Sequence, residues 1–226
     1  MRPKSVLLKI GALLAALFAA TLSARAHPHV FAEARLDVVF ESKQPAIQAL
    51  RHLWRFDDLF SATVLMEFDA NADLKLDDGE LQEVANTIHA SLADFSYFQF
   101  ITVNGQDMEM NPPASIMANF ENNQLIILFE SEAQTPITLA GDIRISVYDP
   151  TFYTAIDFTQ DANMAAPGLP SICSQQVVRP DPDTVLAENQ QTLTEAFFND
   201  PAGTDMSRIF ATRLELNCPG SGNPSP

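Results

Sequence analysis

The stretch Asp69-Ala70-Asn71-Ala72-Asp73-Leu74-Lys75-Leu76-Asp77-Asp78-Gly79-Glu80 carries the oxygen chemistry that a hard cation needs. On the twelve-residue EF-hand template, side-chain oxygens fall at positions 1, 3, 5, 9 and 12, from Asp69, Asn71, Asp73, Asp77 and Glu80. Lys75, at position 7, offers its backbone carbonyl, and Leu76 can make the short strand contact that follows. Calcium takes about six to eight oxygens, a number this turn reaches if Glu80 binds through both of its own. Position 6 is Leu74 where the template has glycine, and a non-glycine residue held at positive φ costs roughly 1–2 kcal/mol. The loop therefore reads as a weak or structural calcium site, with an ion-free acidic turn as the competing reading. A single loop of this kind argues against a signalling switch.

Nitrogen ligands stand near the N-terminus as His27-Pro28-His29. If the chain is cut after Ala26, His27 presents both an amine and an imidazole, and His29 adds a second ring on the same strand parity. Such donors suit zinc, nickel, cobalt or copper. Pro28 has no amide proton, so a square-planar site built on deprotonated backbone amides cannot form in its usual way. The remaining geometry is a chelate of amine and two imidazoles completed by a carboxylate, and the competing reading is a pair of solvated rings. His52, beside Trp54, reads as a half-buried sheet residue that can join the pair. His89 reads as a surface histidine.

The leader and the charge say where these groups work. Arg2, Lys4 and Lys9 precede an apolar run from Ile10 to Leu22, and Ala24-Arg25-Ala26 supplies the small residues a signal peptidase reads. The run is shorter than the ~20 residues that span a bilayer. Residues 1–26 are thus expected to be a secretory signal peptide, with the mature protein soluble, exported to the periplasm and not inserted in the membrane. The whole chain has 13 Lys plus Arg against 29 Asp plus Glu, a net charge of -16. Cleavage removes four bases and no acid, leaving 9 against 29, a charge of -20. That excludes an electrostatic footprint on nucleic acid or anionic lipid and favours cations. With 46% hydrophobic residues the chain can also bury a core, which excludes a mainly disordered acidic protein. Cys173 and Cys218 suit a structural disulfide in an oxidising compartment, where closing so long a loop is worth about 4 kcal/mol.

Elements must hold these groups in place. His29 to Glu41 alternates, with Val30, Ala32, Ala34, Leu36, Val38 and Phe40 on one parity, as a half-buried strand does. Ile47 to Phe56 fits two patterns: Leu50, His52, Trp54 and Phe56 would share a strand face, Ile47, Leu50, Leu53 and Trp54 a helix face, and the strand is the preferred reading. Asp57 or Asp58 can cap a helix to about Phe68, and Leu81, Val84, Ala85, Ile88 and Leu92 form the apolar stripe of another. Short strands follow: Tyr97 to Val103, the Asn104-Gly105 turn, Met108 and Met110, Ser115 to Phe120, Gln124 to Glu130, Ile137 to Asp149, and Phe152 to Phe158, and on to about Val178. A Pro-rich hinge at 179–182 leads to a helix from about Thr184 to Phe198 and a last apolar segment near Cys218. The expected fold is α+β: an antiparallel β-sandwich-like sheet with an EF-hand-like helix-loop-helix inserted at about 57–94 and a C-terminal helix. By domains, residues 27–180 form the β-rich body, 181–218 a helical extension tied by the disulfide, and 219–226 a disordered tail.

Several of these stretches together resemble one family. His27-Pro28-His29-Val30-Phe31, Trp54-Arg55-Phe56-Asp57-Asp58-Leu59-Phe60-Ser61, the loop from Asp69 to Leu81, Tyr97-Phe98, and Tyr148-Asp149-Pro150-Thr151-Phe152-Tyr153 are similar, in order and spacing, to the domain of unknown function 1007. The resemblance implies an exported bacterial protein of the kind labelled as the periplasmic component of an ABC-type transport system, often found with nickel or cobalt permeases. It also implies a metal site at His27 and His29, with Asp57, Asp58 or Asp149 as carboxylate partner, and a glycine where this chain has Leu74. The functional expectation is a periplasmic accessory protein that passes zinc, nickel or cobalt to an inner-membrane metal transporter. The alternative is a calcium-stabilised exported structural or interaction module that handles no transition metal. No nucleophile elbow, His-Glu-x-x-His helix, P-loop or dinucleotide motif is present, so the sequence does not read as an enzyme.

Overall fold

Alternation in the first strand produces β1 (Val30–Phe40), whose Val30, Ala32, Ala34, Leu36 and Val38 are buried while the residues between them face outward. The computed structural model describes residues 28–41, 45–199 and 206–219. The expected signal peptide, His27 and residues 220–226 of the expected tail lie outside them. β2 (Ala46–Phe56) pairs antiparallel with β1, and Leu50, His52, Trp54 and Phe56 share its inner face. The remaining strands are β3 (Gln99–Val103), β4 (Gln106–Met108), β5 (Ile116–Glu121), β6 (Gln124–Thr138), β7 (Gly141–Val147), β8 (Thr154–Asp157), β9 (Met164–Ala165), β10 (Ser174–Val178) and β11 (Arg213–Cys218).

They make two sheets. One runs β5-β6-β2-β1-β8, with β9 also on β1; the other runs β10-β11-β7-β3-β4. Leu36, Leu50, Trp54 and Ile127 from the first sheet share one core with Ile101, Ile143, Ile145, Leu214 and Leu216 from the second. β1 pairs in parallel with both β8 and β9. The all-antiparallel expectation is therefore corrected to a mostly antiparallel α+β fold, because the chain returns to the free edge of β1 after a long excursion through the second sheet.

Asp57 caps α1 (Asp58–Phe68), and Asp77 caps α2 (Asp78–Ala93) through a capping box with Glu80. α1 packs on β6, and α2 packs on β5 and on α1. A third helix, α3 (Pro182–Asn199), starts on Pro182, whose missing N–H costs nothing at the first turn. Among the described residues no helix is long and apolar enough to cross a membrane. Cys173 and Cys218 are joined, with S–S 2.06 Å. Asn104-Gly105 makes the β3–β4 turn with both residues at positive φ, and Asn122-Asn123 does the same between β5 and β6.

The strand expected from Tyr97 begins two residues later. Ser96, Tyr97 and Phe98 all lie in the left-handed region, at φ 52°, 53° and 58°. Tyr97 and Phe98 are buried, and Phe98 stacks on Trp54 with ring centroids 5.8 Å apart. Burying two aromatic rings offsets a backbone conformation that costs roughly 1–2 kcal/mol per residue. The single strand expected over 137–149 is also divided. Its first two residues end β6, and Gly141 at φ 78° opens β7.

Candidate functional site

The acidic loop leaves α1 at Asp69 and enters α2 at Asp77. Asp69 accepts the N–H of Asp73 (3.1 Å) on Oδ1 and that of Leu74 (2.7 Å) on Oδ2. Asn71 Oδ1 accepts Asp73 N–H at 2.9 Å, and Asp73 Oδ1 accepts Lys75 N–H at 2.9 Å. These bonds fold the first half of the loop on itself, and they put Ala72 and Leu74 in the left-handed region at φ 58° and 63°. Leu74, at the position where glycine belongs, does take the strained conformation, with its side chain 77% exposed. Glu80 is buried and closes the loop, its Oε1 accepting Ala70 N–H and its Oε2 accepting Asp77 N–H, each at 2.9 Å. Asp77 Oδ1 accepts Gly79 and Glu80 N–H. The carboxylates are thus drawn in toward backbone amides. No three His, Cys, Asp or Glu side chains among the described residues are grouped closely enough to hold a metal ion as they stand.

At the N-terminal end, His29 is exposed at the head of β1. Its N–H donates to Tyr153 O at 2.8 Å, and its ring lies 5.1 Å from that of Tyr153. His27 is outside the described residues. The carboxylates named as partners have structural work. Asp57 Oδ1 accepts Leu59 and Phe60 N–H to cap α1, and its Oδ2 accepts Phe31 N–H at 2.8 Å. Asp57 N–H in turn donates to Phe31 O, so one residue clamps the start of the helix to the first strand. Asp149 is buried and accepts the N–H and hydroxyl of Thr151, both at 2.7 Å, and Thr154 N–H at 2.9 Å. Asp58 sits in the first turn of α1.

His52 does not join His29. Its register partner is Leu36, seven residues along β1 from His29, which is roughly 23 Å at strand rise. It is fully buried rather than half-buried, stacked at 4.5 Å on Phe129, with Nε2 3.1 Å from Gln99 Oε1 in the facing sheet. Burial pushes its imidazole down to about 4, against a smaller upward pull from the Gln99 hydrogen bond. Its Nδ1 has no partner among the described residues, and neither do Trp54 Nε1 and Ser131 Oγ. His89 is half-buried rather than a free surface ring, its Nε2 2.8 Å from Pro113 O and 3.5 Å from the Tyr97 hydroxyl.

The sequence reading missed the double role of Asp57 and the His52–Gln99 bridge. Asp57 carried a signal, since a cap was expected at 57 or 58. Gln99 carried none, because its partner is 47 residues away.

The family model described as "Protein of unknown function (DUF1007)" matches residues 12–218. An uncharacterized protein of Haemophilus influenzae (strain ATCC 51907 / DSM 11121 / KW20 / Rd) is 21% identical over 196 residues, which is 85% of this chain and 91% of that one. No solved structure matches.

Proposed function

This chain belongs to the DUF1007 family, and we propose that it is an exported, periplasmic divalent-cation-binding accessory protein of a transition-metal transport system. In this reading α1, the loop and α2 form an EF-hand-like insert that holds calcium, and the His27-Pro28-His29 terminus carries zinc, nickel or cobalt to an inner-membrane transporter. The observation that carries cation binding is the loop's conformation. Oxygen donors occupy every template position, Leu74 accepts the strained turn, and buried Glu80 reaches back across the loop to Ala70. The exposed imidazole of His29, fixed at the head of β1, supports the terminal site.

Calcium at millimolar concentration is expected to raise the melting temperature of the exported chain relative to chelator, with a dissociation constant of about 10⁻⁴–10⁻³ M. Glu80→Gln abolishes the rise. Because Glu80 also closes the capping box, Leu74→Gly is the companion variant: it keeps every carboxylate, relieves the positive φ and binds calcium more tightly. Identical melting temperatures in calcium and chelator for both the native chain and Leu74→Gly reject the loop site.

The terminal site is tested by position. One residue added ahead of His27 leaves both imidazoles in place but displaces the amine, so calorimetric titration of calcium-loaded protein with zinc, nickel or cobalt shows weaker binding. His29→Ala weakens it too, because one imidazole donor is lost. Equal affinities for native, extended and His29→Ala chains reject the transition-metal reading. The calcium-stabilised interaction module then stands, a reading favoured by the tilted packing of the His29 ring against Tyr153.

A further inference from the structure

A cavity of about 350 Å³ lies between α1, α2 and the sheet that contains β1 and β2, within the ~300–1,000 Å³ range of small-molecule sites. Its wall gathers six aromatic side chains, four of them from residues 54–68: half-buried Phe60 and Phe68 and exposed Tyr153, backed by buried Trp54, Phe56 and Phe98. Among the described residues no Lys, Arg or His lines it, and its one charged side chain is Glu67, exposed on α1. Three hydroxyl-bearing residues of the helices, Thr63, Thr87 and Ser91, complete that side. Thr63 donates its hydroxyl proton to Leu59 O at 3.0 Å and Ser91 donates to Thr87 O at 2.8 Å, so both retain acceptor capacity only. The strained turn at 96–98 is part of this wall, because it delivers Phe98 against Trp54. Strain of that kind persists where the surrounding structure holds it, and it gathers at ligand sites.

Ring faces carry partial negative charge and attract a cation, most strongly when several rings surround it. A carboxylate and hydroxyl lone pairs add to the same sign. An anionic amphiphile would meet Glu67 with no base to offset it. We propose that this cavity binds a hydrophobic organic cation, a quaternary ammonium or protonated amine bearing an alkyl or aryl group, with the apolar part among the rings and the charge against Glu67. The assignment goes beyond the metal reading and is independent of it.

The test uses the full exported chain in chelator, so that no metal site contributes. Decyltrimethylammonium, decanol and decanoate, each below its micelle concentration, match the chain and vary only the head. Trp54 is the single tryptophan and sits in the wall, so its emission reports binding directly. The expected result is a saturable emission change and a raised melting temperature with the cation, at roughly tenfold higher affinity than decanoate, with decanol between. Glu67→Gln brings the cation to the level of decanol and leaves decanol unchanged. Thr87→Phe, at an exposed helix position, fills the mouth and weakens all three, and Ser91→Phe is the second filling variant. No saturable response to any probe, decanoate binding as well as the cation, a preference that survives Glu67→Gln, or filling variants that fold but bind normally would each overturn the assignment.

Discussion

A neutral imidazole enclosed between two sheets makes His52 sensitive to acid. Its pKa is about 4 in the fold and about 6.5 in the unfolded chain. Above about pH 6.5 the ring is neutral in both states and this group contributes full stability. As pH falls below that value the unfolded chain takes up the proton and the folded chain does not, so stability drops, by about 3 kcal/mol once pH passes the folded value. Urea unfolding between pH 7 and 4 should show this slope. His52→Phe keeps a flat ring for Phe129 but cannot titrate, and it should lose that part of the slope; an unchanged slope would locate the acid sensitivity elsewhere. The histidine was visible in the sequence beside Trp54. Its full burial was not, because the lid over it is Gln99 from the other sheet.

At the scale of elements, α1 hangs from Asp57. The side chain caps the helix and grips Phe31 N–H, while its own N–H returns to Phe31 O. Asp57→Ala removes the cap and leaves three amides without that acceptor, a loss expected near 1–2 kcal/mol. Hydrogen exchange should quicken at Phe31, Leu59 and Phe60 together, and quickening at the helix amides alone would deny the clamp to β1. The apolar stripe of α2 and the cap of α1 were readable from spacing. The left-handed turn at 96–98 was not, since non-glycine residues adopt it only where tertiary burial of Tyr97 and Phe98 offsets the strain.

Across the whole molecule, the disulfide anchors one end of β11, a strand held between β10 and β7 in the second sheet. Reduction, or Cys173→Ser with Cys218→Ser, should lower stability by up to about 4 kcal/mol. Amides of β10 and β11 should exchange first, with β1 and β2 retaining protection. A melting temperature unaffected by reductant would show that the loop between the two cysteines is already constrained without the bond.

Local periodicity and residue chemistry were enough to identify β1, α1, α2 and the cysteine pair, and to favour a strand over a helix at β2. Each of those signals lies within a few residues or, for the cysteines, in simple count. Only the tertiary structure decided that β1 also takes parallel partners, that β11 is an inner strand, that His52 lies far from His29 along β1, and that Phe98 and Tyr153 meet the aromatic residues of 54–68 around one cavity. Those outcomes depend on which surfaces meet after the chain returns from far away, and burial energy between distant segments leaves no periodic trace along the sequence.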